Sequence, residues 1–100
     1  MPRLLFTLLR SLFEKNEFRT MDSIVGNNEK GVLLFEDAVN YATVERSRNE
    51  LLLKNYSIFA IKDELEARGY PEFNAKGVEV IEYDTAIDLI MEKYDKVISL

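Results

Sequence analysis

The sequence predicts an α/β fold, a three-layer α/β/α sandwich built on parallel strands. Two observations carry that prediction. Five short apolar runs punctuate the chain: Leu4–Leu9, Val32–Phe35, Ile58–Ile61, Val78–Ile81 and Val97–Leu100. Several are continuous rather than alternating, as strands covered on both faces require. Helix signals fill the intervals between them, and strand–helix alternation implies right-handed crossovers over a parallel sheet.

Taken in order, the Leu4–Leu9 run reads as a first buried strand. It is too short for the core of a secretory signal, and Phe13-Glu14-Lys15-Asn16 beyond it offers no small-residue cleavage site, so an intracellular, cytoplasmic protein is expected. Ser11-Leu12-Phe13-Glu14 has the form of a capping box opening the first helix. Phe13, Phe18, Met21, Ile24 and Val25 then recur at spacings that predict an inward stripe. Ser47-Arg48-Asn49-Glu50 reads as a second capping box, and Asn55 as a left-handed stop. Asp63–Arg68 predicts a short third helix ended by Gly69 and Pro71. Val78–Glu82 alternates, which suits an edge strand with one wetter face. Asp84 or Thr85 is expected to cap a fourth helix, with Ile87, Ile90 and Met91 facing the sheet and Leu89 beside them.

Nothing in the composition divides the chain, so residues 1–100 are expected to form a single domain. Apolar residues are 47% of the total, enough for a core, and no run approaches the length needed to span a bilayer. A formal net charge of −5 with no clustered basic face argues against direct contact with nucleic acid or an anionic membrane.

The chain contains no cysteine and no histidine. That excludes a disulfide scaffold, a thiolate metal site and a persulfide carried by this chain. It also removes the side chain most used for acid–base work near neutral pH. An enzyme acting by itself is therefore not expected, and no cofactor is.

In parallel α/β sheets, ligands and partners dock at the carboxyl ends of the strands. Those ends carry Arg10-Ser11, Glu36-Asp37, Lys62-Asp63 and Tyr83-Asp84. The paired carboxylates of a receiver domain, the hydroxyl- and glycine-rich phosphate loop of a flavodoxin, the G-x-G-x-x-G of a dinucleotide fold and the C-x-x-C of a thioredoxin are all missing. Glu36 and Asp37 could hold a hard cation or act as acid and base, a metal-assisted hydrolase being the corresponding reading. The plainer account has Asp37 capping the segment Ala38–Ala42. Glu45–Glu50 reads as a solvated surface with mixed ion pairs, and the five tyrosines hint at oligomerisation.

Leu33-Leu34-Phe35-Glu36-Asp37-Ala38-Val39-Asn40-Tyr41-Ala42 resembles the L-L-I-E-D-G-V-Y-A signature of the DsrH/TusB family of sulfur-relay subunits. Ser11–Asn16 is similar to that family's S-P-F-E-R-N, and Asp63–Gly69 to its D-L-x-A-R-G. Gly77–Tyr83 with Asp95–Ser99 is similar to its closing strand, helix and D-K-V-x-S-W strand. Ala38 stands where the family has glycine, and Leu100 where it has tryptophan. The cysteine that some members carry late in the first helix falls at Met21, which fills the volume but forms no thiolate.

The resemblance implies a five-stranded parallel DsrEFH-like sheet, ordered 4-3-2-1-5, in a cytoplasmic assembly of homologous subunits. Such complexes pass sulfur between cysteines, towards wobble-uridine thiolation of tRNA or in sulfur oxidation. A DsrE/DsrF-like neighbour would supply the reactive cysteine, and this chain would be a non-catalytic subunit, with Ser11, Met21, Glu36, Asp37 and Tyr41 at a partner interface or cleft. The alternative is a stand-alone homo-oligomer that binds a ligand or regulates, without sulfur chemistry.

Overall fold

Each of the five apolar runs forms a strand: β1 (Arg3–Leu8), β2 (Glu29–Leu34), β3 (Ser57–Ile61), β4 (Val78–Ile81) and β5 (Lys96–Ser99). In the computed structural model, which describes residues 2–100, they pair in parallel in the order β4-β3-β2-β1-β5. The fold class and strand order are those expected. Around the sheet lie α1 (Phe18–Val25), α2 (Asn40–Thr43), α3 (Glu45–Leu53), α4 (Lys62–Ala67) and α5 (Tyr83–Asp88). A 3-10 turn, Glu36–Val39, leads into α2, and a π turn, Leu89–Lys93, continues α5.

Crossover handedness distributes the layers. The steps from β1 to β2, β3 and β4 all move the same way across the sheet, so right-handed connections put α1–α4 on one face. The return from β4 to β5 runs the other way and leaves α5 on the opposite face. Because side chains alternate along a strand, Leu4, Phe6 and Leu8 pack with Phe18, Met21, Val25, Tyr41, Leu51 and Leu65. Leu5, Leu33, Phe59, Ile61 and Ile81 point the other way, under Ala86, Leu89 and Tyr94. Gly31 lets Tyr94 lie flat on this second face, since an added Cβ would overlap the hydroxyl and come within 2.9 Å of Cζ.

Local stop signals match the backbone. Asn55 (φ 66°) and Gly69 (φ 89°) adopt the left-handed conformation that ends a helix.

Several other expectations are corrected. Ser11–Glu14 does not open a helix: α1 begins at Phe18, and Phe13 is 78% exposed rather than inward. Only a single turn forms here, braced by the Asn40 side chain, its Oδ1 accepting the Leu12 N–H (2.9 Å) and its Nδ2 donating to Ser11 Oγ (2.7 Å). Ile24 is exposed as well, while Phe18, Met21 and Val25 form the buried stripe.

Ser47 is not a cap, because the Arg48 N–H already reaches the Val44 carbonyl (2.9 Å) and α3 starts at Glu45. Neither Asp84 nor Thr85 caps α5, whose N-cap is the extended Glu82. Its buried face is Ala86 and Leu89, with Ile90 packed against them, whereas Ile87 and Met91 (74% exposed) face outward. Ala86, Leu89 and Ile90 keep the same i, i+3, i+4 spacing as the expected stripe, one residue earlier in the chain. Tyr41, Tyr56 and Tyr94 are core residues, so only Tyr70 and Tyr83 remain exposed.

Candidate functional site

The carboxyl ends of β1, β2 and β3 meet at one edge of the sheet, where the segment Glu36–Thr43 organises two neighbouring clusters.

The first holds the loop after β1. Ser11 Oγ accepts from Asn40 Nδ2 and also from the Phe13 N–H (3.1 Å). Two backbone turns close on the Ser11 carbonyl, from Glu14 and Lys15. Tyr41 finishes the anchorage from below: its Oη accepts the Glu17 N–H (2.9 Å) and donates to the Lys15 carbonyl (2.9 Å). Its ring is completely buried, 5.6 Å from that of Phe18. Burial pushes the Tyr41 phenol up, and the nearby Glu17 carboxylate adds to the rise against the lowering effect of the Glu17 amide. Tyr41 thus acts here as a neutral post.

The second cluster surrounds the acidic pair. Glu36 takes a left-handed backbone (φ 46°), which turns the chain out of β2, and its N–H donates to Glu64 Oε2 (2.8 Å). Ala38 has no positive φ; the turn is made two residues earlier. Asp37 does not cap the following segment. Its Oδ1 accepts from Arg68 Nε (2.8 Å), and Arg68 Nη1 also reaches Glu64 Oε1 (3.2 Å) and the Glu64 carbonyl (3.1 Å). The Arg68 guanidinium, held more firmly protonated chiefly by Asp37, therefore ties α4 to the turn. The Asp37 carboxylate is engaged by an internal cation. Among the described residues no group of three or more His, Cys, Asp or Glu side chains is placed to hold a metal ion.

The structure thus joins Ser11 to Tyr41 through the anchored loop and sets Glu36 and Asp37 beside them on the adjoining turn. Met21 is separate: it lies in α1, 0% exposed, within the core beneath that loop. Asn40, Glu64 and Arg68 complete the arrangement, and the sequence did not single them out. Apart from the i, i+4 pair of Glu64 with Arg68, their partners lie 28 to 31 residues away, beyond the reach of any local pattern. A larger cleft of about 500 Å³ lies at the opposite end of the strands, lined by Tyr56, Ser57, Gly77 and Glu79 among others. It is open and brings together few polar side chains, so the carboxyl edge is the stronger candidate.

No helix among the described residues is long and apolar enough to cross a membrane. No curated protein matches the sequence significantly. A solved structure, that of the YchN protein from E. coli, superposes over the whole of both chains with a TM-score of 0.80 at 16% identity, which shows a shared fold. The family model described as DsrH-like protein matches residues 10–97. That match takes in the loop after β1, the Glu36–Tyr41 turn, α4 and the first half of β5, so the chain belongs to the DsrH-like family.

Proposed function

We propose that this protein is a non-catalytic subunit of a sulfur-relay complex, in which a homologous DsrE/DsrF-like subunit carries the reactive cysteine. The carrying observation is a DsrH-like chain that contains no cysteine. A sulfur relay needs a thiolate to attack and to hold the persulfide. Here the position of the family cysteine is a wholly buried methionine, which offers neither nucleophile nor access.

In this reading residues 1–100 act as one cytoplasmic DsrH/TusB-like domain, touching neither nucleic acid nor membrane directly. The carboxyl edge is the partner contact, with Ser11, Glu36 and Asp37 at the surface and Tyr41 and Met21 supporting it from within. Its loops are held by side-chain hydrogen bonds before any partner arrives, which lowers the ordering cost of association. The thinly covered second face, where Ile87, Met91 and Val97 are exposed, supports an assembly of some kind.

That same face favours a second reading, a stand-alone homo-oligomer without sulfur chemistry. Affinity purification from native cells separates the two. Recovery of a cysteine-bearing homologue in fixed stoichiometry, weakened by Asp37→Arg, is expected. Recovery of this chain with copies of itself alone would refute the sulfur-relay assignment.

A further inference from the structure

Phe13 is 78% exposed, the most exposed aromatic side chain among the described residues. On a loose loop such a ring would mean little, but this loop is fixed. The four consecutive amides from Leu12 to Lys15 all donate within the protein, to Asn40 Oδ1, to Ser11 Oγ and twice to the Ser11 carbonyl. Tyr41 Oη then holds the Lys15 carbonyl and the Glu17 N–H. The ring therefore projects from a preorganised support, and burying it against a second surface costs little backbone freedom.

Beside the ring lies a cleft of about 330 Å³ between this loop and the start of α3. Leu12, Phe18 and Val44 give it apolar walls, and the exposed Phe13 and Arg46 stand at its rim. A cavity of about 150 Å³ already accepts a benzene ring, so a phenyl group has room here, with the Phe18 ring as an aromatic neighbour. A projecting ring and an apolar hole side by side on one chain meet the requirement of a two-fold contact, in which each copy offers both surfaces at once.

The charges are self-complementary as well. Glu14 follows the projecting ring and Arg46 borders the cleft; both are exposed, and neither forms an ion pair among the described residues. A Phe13 seated in a second copy's cleft carries its Glu14 towards that copy's Arg46, and the two-fold axis repeats the pair.

We infer that two copies of this chain pair across a two-fold axis, each seating Phe13 in the other's cleft between Leu12, Phe18 and Val44. The contact goes beyond the sulfur-relay reading and does not depend on it, because the purified chain alone forms it.

Sedimentation velocity of the full chain should show a dimer at about 100 µM. Phe13→Ser alters only an exposed side chain, so the thermal midpoint of a dilute sample should stay unchanged. Both insertions are lost together, and the dissociation constant should rise about a hundredfold or more. Val44→Glu puts a charge into the cleft at a residue outside both buried clusters, and should weaken the dimer to the same degree. An equimolar mixture of the two variants retains one intact ring and one intact hole. Native mass spectrometry should therefore find the heterodimer more abundant than either homodimer. A wild-type monomer at about 100 µM, undiminished dimerisation of Phe13→Ser, or a mixture without heterodimer preference would each overturn the inference.

Discussion

Removing a single oxygen tests how the carboxyl edge is held. Tyr41→Phe keeps the ring against Phe18 and leaves the buried volume nearly unchanged, but deletes the hydroxyl that bridges the Glu17 amide and the Lys15 carbonyl. Each lost hydrogen bond is worth about 1 kcal/mol net, and a buried donor left without a partner costs about 1–3 kcal/mol. Glu17 is 3% exposed, so its N–H finds little water in the variant. The combined loss is therefore about 3 kcal/mol, a large share of the roughly 5–15 kcal/mol that stabilises a domain. With a urea dependence of about 1–3 kcal/mol/M, the unfolding midpoint should fall by about 1–3 M. Native-state hydrogen exchange should show a selective loss of protection at Glu17. A midpoint shift under about 0.3 M, with Glu17 exchange unchanged, would refute the claim that Tyr41 anchors the loop.

Other contacts lead to further expected outcomes. Asn40→Ala removes both bonds to the loop, from Leu12 and to Ser11. It should cost about 1–2 kcal/mol in denaturant unfolding, more than Ser11→Ala if the loop is held from α2. Gly31→Ala should destabilise by about 1–3 kcal/mol, because Tyr94 must leave its seat; near-UV circular dichroism reports the displaced ring. Burial, with a smaller contribution from the Asp22 charge, pushes the Tyr56 phenol up to about 12. A folded pKa above the unfolded value near 10 means that stability is full below pH 10 and is lost as pH rises towards 12. Tyrosinate absorbance, taken as the difference from a Tyr56→Phe variant, should accordingly show Tyr56 ionising only near 12 or together with unfolding, and a component near 10 that the variant loses would contradict its burial.

The strands were legible in the sequence because an apolar run bounded by polar residues is a local pattern. Asn55 and Gly69 were legible for the same reason: a left-handed stop depends on one residue's own sterics. Ser11 was a correct choice with the wrong role. Its hydroxyl serves Asn40 and the Phe13 amide rather than a helix start, and the sequence cannot show a partner 29 residues away. Asp37 failed as a cap for the same reason, since Arg68 holds its carboxylate. The α5 stripe failed differently. Ile87/Ile90/Met91 and Ala86/Leu89/Ile90 share one helical spacing, and only packing against the strands beneath selects the second. The resemblance located the segments that make up the edge, while the contacts that join them are tertiary.

The strand order also bears on how the chain folds. β1 is flanked by β2 and by β5, so it pairs once with a neighbour 26 positions on (Arg3 with Glu29) and once across 92 positions (Leu4 with Lys96). Loop-closure entropy makes the second event dearer by about 1 kcal/mol if each formed alone. The local steps from β1 through β4 therefore assemble first, and β5 docks onto a sheet already built. Placement of β5 late in folding makes a kinetic claim: Ile98→Ala should accelerate unfolding and leave the refolding rate nearly unchanged, as measured by stopped-flow chevron analysis. A matching fall in the refolding rate would put β5 in the nucleus instead.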